Sequence, residues 1–117
     1  MSTQITVPPD AAESQRHGHT AALAVAALII RNSPITPTDV KTTCPAHAPE
    51  KPSVDVYFHE SAAGVEALAQ ALGVEAQTQP FREGDPRPYV TTDAVIDGVP
   101  VRAWSLLDPP TDVEVTA

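Results

Sequence analysis

Three short clusters hold the side chains that chemistry most often uses. His59-Glu60-Ser61 sets a base, an acid and a hydroxyl side by side. Cys44-x-x-His47 and His17-x-His19 together offer four sulfur and nitrogen donors of the kind zinc takes in a tetrahedron. Cys44 is also the single thiol of the chain.

Spacing weakens each of these. Adjacent residues at a strand end diverge, so His59, Glu60 and Ser61 do not make a triad by themselves. Ser61 is better placed as a helix N-cap, and Glu60 as a first-turn acid favoured by the helix dipole. C-x-x-H is usable metal spacing, but two histidines two apart on a helix point to different sides. Cys44 has no identifiable His or Asn to activate it as a nucleophile. The expectation is a non-catalytic protein with no cofactor. The alternative is a zinc-binding protein using Cys44, His47, His17 and His19. A small-molecule enzyme or binder would need a pocket near the Pro80–Pro88 stretch.

The elements that must position these residues are clearer. Val54, Val56 and Phe58 alternate with Asp55, Tyr57 and His59, the period of a half-buried strand. Val65, Leu68 and Leu72, with Ala62 and Ala69, then form one helical stripe, and Gly73 followed by Val74 is a helix stop. Upstream, Asp10 with Glu13 has capping-box spacing ahead of a helix over about 11–31, loosened at Gly18. Its second half, AALAVAALII, is apolar on nearly every side. Such a helix is buried on several sides or shared with another subunit. Residues 35–43 are β-branched enough for a strand after Pro37, and 45–52 is a proline-rich loop.

Past the second helix, 74–79 alternates, with Val74, Ala76 and Thr78 inward, and a polar loop over 80–88 follows. Asp97-Gly98 between YVTTDAVI and VPVRAWSLL marks a two-residue hairpin turn. That turn sets the register: Ile96 opposite Val99, Ala94 opposite Val101, Thr92 opposite Ala103 and Val90 opposite Ser105 on the core face. Val95, Asp93, Thr91 and Tyr89 meet Pro100, Arg102, Trp104 and Leu106 on the other. The expected architecture is α-β-β-α-β-β-β, a two-layer α+β domain over 10–107. Both helices lie on one face of a largely antiparallel five-stranded sheet. Residues 1–9 read as a disordered leader and 108–117 as an acidic flexible tail.

The stretch from Val54 to Leu107, through VDVYFHE, ALAQALGVEA and IDGVPVRAWSL, resembles a group of small proteins from high-GC actinobacteria and their phages. No activity is attached to that group. The resemblance implies an intracellular protein, encoded on a phage or other mobile element, and it carries over no catalytic residue.

Composition narrows the partners. The net charge is −8, from 15 acidic and 7 basic residues, and the basic ones are scattered along the chain. A phosphate backbone needs them clustered, so neither nucleic acid nor an anionic membrane is an expected partner. The acids are spread through caps, turns and tail, which fits solubility rather than imitation of DNA. One cysteine excludes an internal disulfide. The apolar run 21–30 is too short to span a bilayer and lacks the flanks of a signal sequence, so a cytoplasmic protein is expected. What remains is the sheet face opposite the core, carrying Tyr57, His59, Tyr89, Arg102, Trp104 and Leu106. Tyr, Trp and Arg are the residue types that anchor protein interfaces. That face is expected either to dock a protein, with the chain a homodimer, or to be covered by the first helix or the proline-rich loop.

Overall fold

Asp97 and Gly98 both take positive φ, at 50° and 79°, and the turn they form holds the register that the sequence predicts. All eight expected pairs, from Tyr89 opposite Leu106 to Ile96 opposite Val99, are present. The computed structural model describes residues 9–109, with side chains from residue 12. The expected leader (from Pro9 on it is helix), the Asp10 side chain and most of the expected tail therefore lie outside the described residues.

The elements are α1 (Pro9–Asn32), β1 (Asp39–Thr43), β2 (Ser53–Tyr57), α2 (Ala62–Leu72), β3 (Gln77–Arg82), β4 (Asp85–Ile96) and β5 (Val99–Leu106). This is the α-β-β-α-β-β-β order. The five strands lie in the order β1-β2-β5-β4-β3, with β2 and β5 parallel and the other neighbours antiparallel. The middle strand is thus β5.

One face of the sheet carries the core. Val54, Val56, Phe58, Val90, Val101 and Ala103 pack beneath Ala22, Val25, Ala26 and Ile29 of α1 and Val65 and Leu68 of α2. Both helices therefore lie on this face. α2 is bounded as its sequence predicts. The Ser61 side chain accepts a bond from the Gly64 amide, and Gly73 closes the helix at φ 75°. The Val74 amide then donates to Ala69 O at 2.9 Å, the wider bond of a Schellman stop.

Several expectations are corrected. Glu60 is not in the first turn of α2; it precedes the cap at φ 46°, where the chain turns from β2 into the helix. Gly18 does not loosen α1, which runs through it unbroken. Gly18 is buried, and a Cβ there would lie 2.5 Å from Pro49 O and 2.6 Å from Cys44 Sγ. Glycine is needed for that close approach. The third strand begins at Gln77 rather than Val74, and Thr78, though on the core face opposite Val90, is exposed at the sheet edge.

The segment 80–88 is not a loop. Its halves extend β3 and open β4 around a turn at Glu83-Gly84, with Pro80 opposite Pro88 and a register shift before Arg82. The Pro88 carbonyl accepts from the Leu107 amide at 2.9 Å, so its backbone polar side faces away from β3. At such a pair neither missing N–H falls between β3 and β4, and proline is tolerated on this edge strand.

α1 is not buried all round. Leu23 and Ile30 are 58% and 51% exposed on the side away from the sheet.

Candidate functional site

Among the described residues the far face of the sheet is open, since both helices pack on the other. Alternation along β2, β4 and β5 sends Tyr57, Tyr89 and Trp104 to it, while their neighbours Val56, Val90 and Ala103 are buried. The rings touch in a row. Tyr57 and Trp104 have centroids 4.6 Å apart, and Trp104 and Tyr89 are 6.0 Å apart. Phe81 on β3 extends the row, with its ring 5.4 Å from Tyr89. Four of the five aromatic residues of the chain thus form a band across β2, β5, β4 and β3. All four rings are half-buried against one another, and Leu106 is half-buried opposite Tyr89. Phe81 was missed from the sequence because it sits between Pro80 and Arg82, where no alternation marks a strand.

The ring planes are tilted by 44°, 51° and 65° from one to the next. Rings tilted against one another build a continuous apolar surface rather than parallel shelves for stacking.

Two ion pairs lie on this face. The Arg102 Nε donates to Asp93 Oδ1 at 2.9 Å, the cross-strand pair the register predicts. Arg87 makes a forked contact with Asp85, with its Nη2 2.7 Å from Oδ2. That guanidinium holds the Asp85 carboxyl down to about 2, against the partial counter-effect of desolvation. Arg82 and Arg87 also lie over the Phe81 ring, at 4.6 and 5.6 Å. Lys41 and Asp39 on β1 share the face through their partners Asp55 and Tyr57. The face thus gathers Lys41, Arg82, Arg87 and Arg102 beside Asp39, Asp55, Asp85 and Asp93. Four of the chain's seven bases, scattered in sequence, share this face with four strand acids, and Glu60 and Asp108 lie at its rim beside His59 and Arg87.

His59 lies at the end of the aromatic row. Its Nδ1 is 2.8 Å from the Tyr57 hydroxyl, and its Nε2 is 3.8 Å from Glu60 Oε1. Ser61 does not join them, because its hydroxyl caps α2 while its amide donates to Ser105 Oγ at 2.9 Å. The Tyr57, His59 and Glu60 side chains line neither of the two cavities described next.

The larger cavity, about 1020 Å³, is an open groove between the first turns of α1, residues 49–52 and the Asp97-Gly98 turn. A smaller one of about 170 Å³ separates the C-terminal turns of α1 and α2. Both lie away from residues 80–88, where a small-molecule enzyme or binder would need its pocket. His17, which lines the larger groove, and His19 and His47 are exposed, whereas Cys44 is buried. The Cys44 thiol is 3.5 Å from Pro49 O and 3.8 Å from Gln15 O, tying the 44–52 loop to α1. Among the described residues no three metal-ligating side chains converge.

Compared with known proteins, the chain matches no protein-family model, no curated protein and no solved structure. No helix among the described residues is long and apolar enough to cross a membrane.

Proposed function

We propose that this is a non-catalytic protein–protein interaction or regulatory protein, working as a homodimer in the cytoplasm through the aromatic face of its sheet. The observation that carries the reading is the row Tyr57–Trp104–Tyr89–Phe81 on a face that neither helix covers. Trp and Tyr surrounded by Arg are the composition of interface hot spots, and Arg102 and Leu106 complete the patch. A single-stranded nucleic acid fits less well. Its bases stack on ring faces and its phosphates need free cations. Here the rings lean on each other, Arg102 and Arg87 are bonded to Asp93 and Asp85, and the other two bases, Lys41 and Arg82, stand on strands at opposite edges of the sheet. The resemblance to actinobacterial and phage proteins supports a role inside the cell, on a mobile element.

The test is Trp104→Ala, followed by sedimentation and by capture from cytoplasmic extract. The variant should keep its fold while losing about 2 kcal/mol or more of association. A chain that sediments as a monomer and captures nothing the variant fails to capture would remove the reading.

A further inference from the structure

Resting on that reading, we infer that the partner seated on the aromatic face is a second copy of this chain, packed sheet on sheet. The dimer would have four layers, with helices outside and two sheets back to back within. Three observations select this occupant.

The first is charge. A chain of net charge −8 repels its own copy over most of its surface. On the aromatic face the strands set four bases against four acids, with Glu60 and Asp108 only at the rim, and the two formed pairs are closed within one copy. Arg102 and Arg87 hold two of its acids, and Lys41 and Arg82 offset the other two, Asp39 and Asp55, so two such faces meet with little net charge. The second is area. The five strands are 5, 5, 6, 12 and 8 residues long. At ~4.8 Å between strands and ~3.3 Å per residue they project roughly 550 Å² before side-chain relief is counted. That is the scale of the ~800 Å² per partner that stable interfaces bury. The exposed stripe of α1 is the competing surface. Leu23, Leu28 and Ile30 together expose on the order of 300 Å², short of that requirement.

The third is that the sheet edges are closed to pairing. β3 carries Pro80 and a register shift, and β1 has five residues bounded by Pro37 and Pro45 with Lys41 at its centre. Prolines, bulges, short strands and edge lysines are what keep strands from adding to a sheet. Two copies therefore meet face to face rather than edge to edge, at the separation of about 10 Å and the small crossing angle of aligned sheets.

Trp104 is the only tryptophan and lies on the middle strand, so its fluorescence reports on this contact alone. The experiment is a dilution series of the full chain followed by sedimentation and by tryptophan emission. We expect a dimer whose dissociation shifts the emission to the red. Tyr57→Ala, which keeps the reporter, should raise the dissociation constant roughly thirtyfold, as loss of a hot-spot ring does. Leu23→Lys with Ile30→Lys should leave the dimer intact. A dimer that those two lysines break, with emission unchanged on dilution, would place the contact on α1 and overturn the inference. The aromatic face would then still be free for another protein. A monomer at every concentration overturns it as well. If single-stranded oligonucleotide then quenches Trp104, the protein-docking reading falls with it.

Discussion

The ring of Phe58 occupies the space that a side chain at residue 64 would need. A Cβ built on Gly64 would lie 2.3 Å from Phe58 Cδ1, and Phe58 is one of the most deeply buried residues in the core. This contact joins the end of β2 to the first turn of α2. It sets how closely the helix approaches the sheet, and hence the depth of the whole upper layer.

Gly64→Ala should therefore destabilise the fold, although alanine in a helix normally gains about 1 kcal/mol over glycine. Overpacking of this kind costs roughly 1–3 kcal/mol. For a domain of this size each kcal/mol appears as a drop of about 4–8 °C in Tm. The loss should shrink in a Phe58→Leu background, because the double-mutant cycle removes the colliding atoms. An unchanged or higher Tm for the single variant would show that α2 can lift off the ring freely.

Gly18→Ala should also invert the helix-propensity rule, at a second close approach. The new methyl meets Pro49 O and Cys44 Sγ together. The expected cost is again about 1–3 kcal/mol. Removing the sulfur in a Cys44→Ala background relieves one of the two collisions, so denaturant melts should show partial rescue. Complete rescue would mean that the 49–52 backbone gives way at no cost.

Val101 and Trp104 are three residues apart on β5 and face opposite ways. Val101 is buried in the core, so Val101→Ala should lower stability by roughly 1–3 kcal/mol through the defect it leaves. Trp104→Ala should cost folding stability much less and act on association. Melts at several protein concentrations separate the two effects. If Trp104→Ala unfolds the domain and leaves the oligomeric state of the folded remainder unchanged, Trp104 serves the fold rather than an interface.

The Asp85 carboxyl should titrate near 2 by carbon NMR, and Arg87→Ala should return it towards 3.8. The Arg87 hydrogen bond is the largest cause of the depression. A folded-state value below the unfolded one means that the contact supports the fold fully above about pH 3.8 and is lost as pH falls towards 2. The variant should be insensitive in that window at this position. An Asp85 titration that does not move would show the fork to be absent in solution.

The sequence made the β4–β5 hairpin legible down to each facing pair, because Asp97-Gly98 admits one turn geometry and alternation does the rest. Ser61 and Gly73 likewise bound α2 through local chemistry. The Phe81 end of the aromatic row was not legible, since Pro80, Pro86 and Pro88 hide a strand pair whose missing N–H groups fall off its ladder. Nor was the gathering of Lys41, Arg82, Arg87 and Arg102 on one face. It depends on β1 and β3 lying at opposite edges of the same sheet, which no local pattern encodes. The contact of Gly18 was invisible for the same reason, as it answers to Cys44 and Pro49 far away in sequence, and that of Gly64 because the approach of α2 to Phe58 is set by packing.

The parallel pairing of β2 with β5 has a kinetic consequence. Val54 sits beside Val101, and α2, β3 and β4 all intervene. The two hairpins of β3, β4 and β5 close over two-residue turns, which such segments do in microseconds. Joining that meander to β2 closes a far longer loop, and the entropy is lost before any contact between the strands repays it. The seam between β2 and β5 is thus the natural late step of folding. Until it closes, Trp104 has no Tyr57 beside it, and the half-assembled sheet presents the flank of β5 to any other chain.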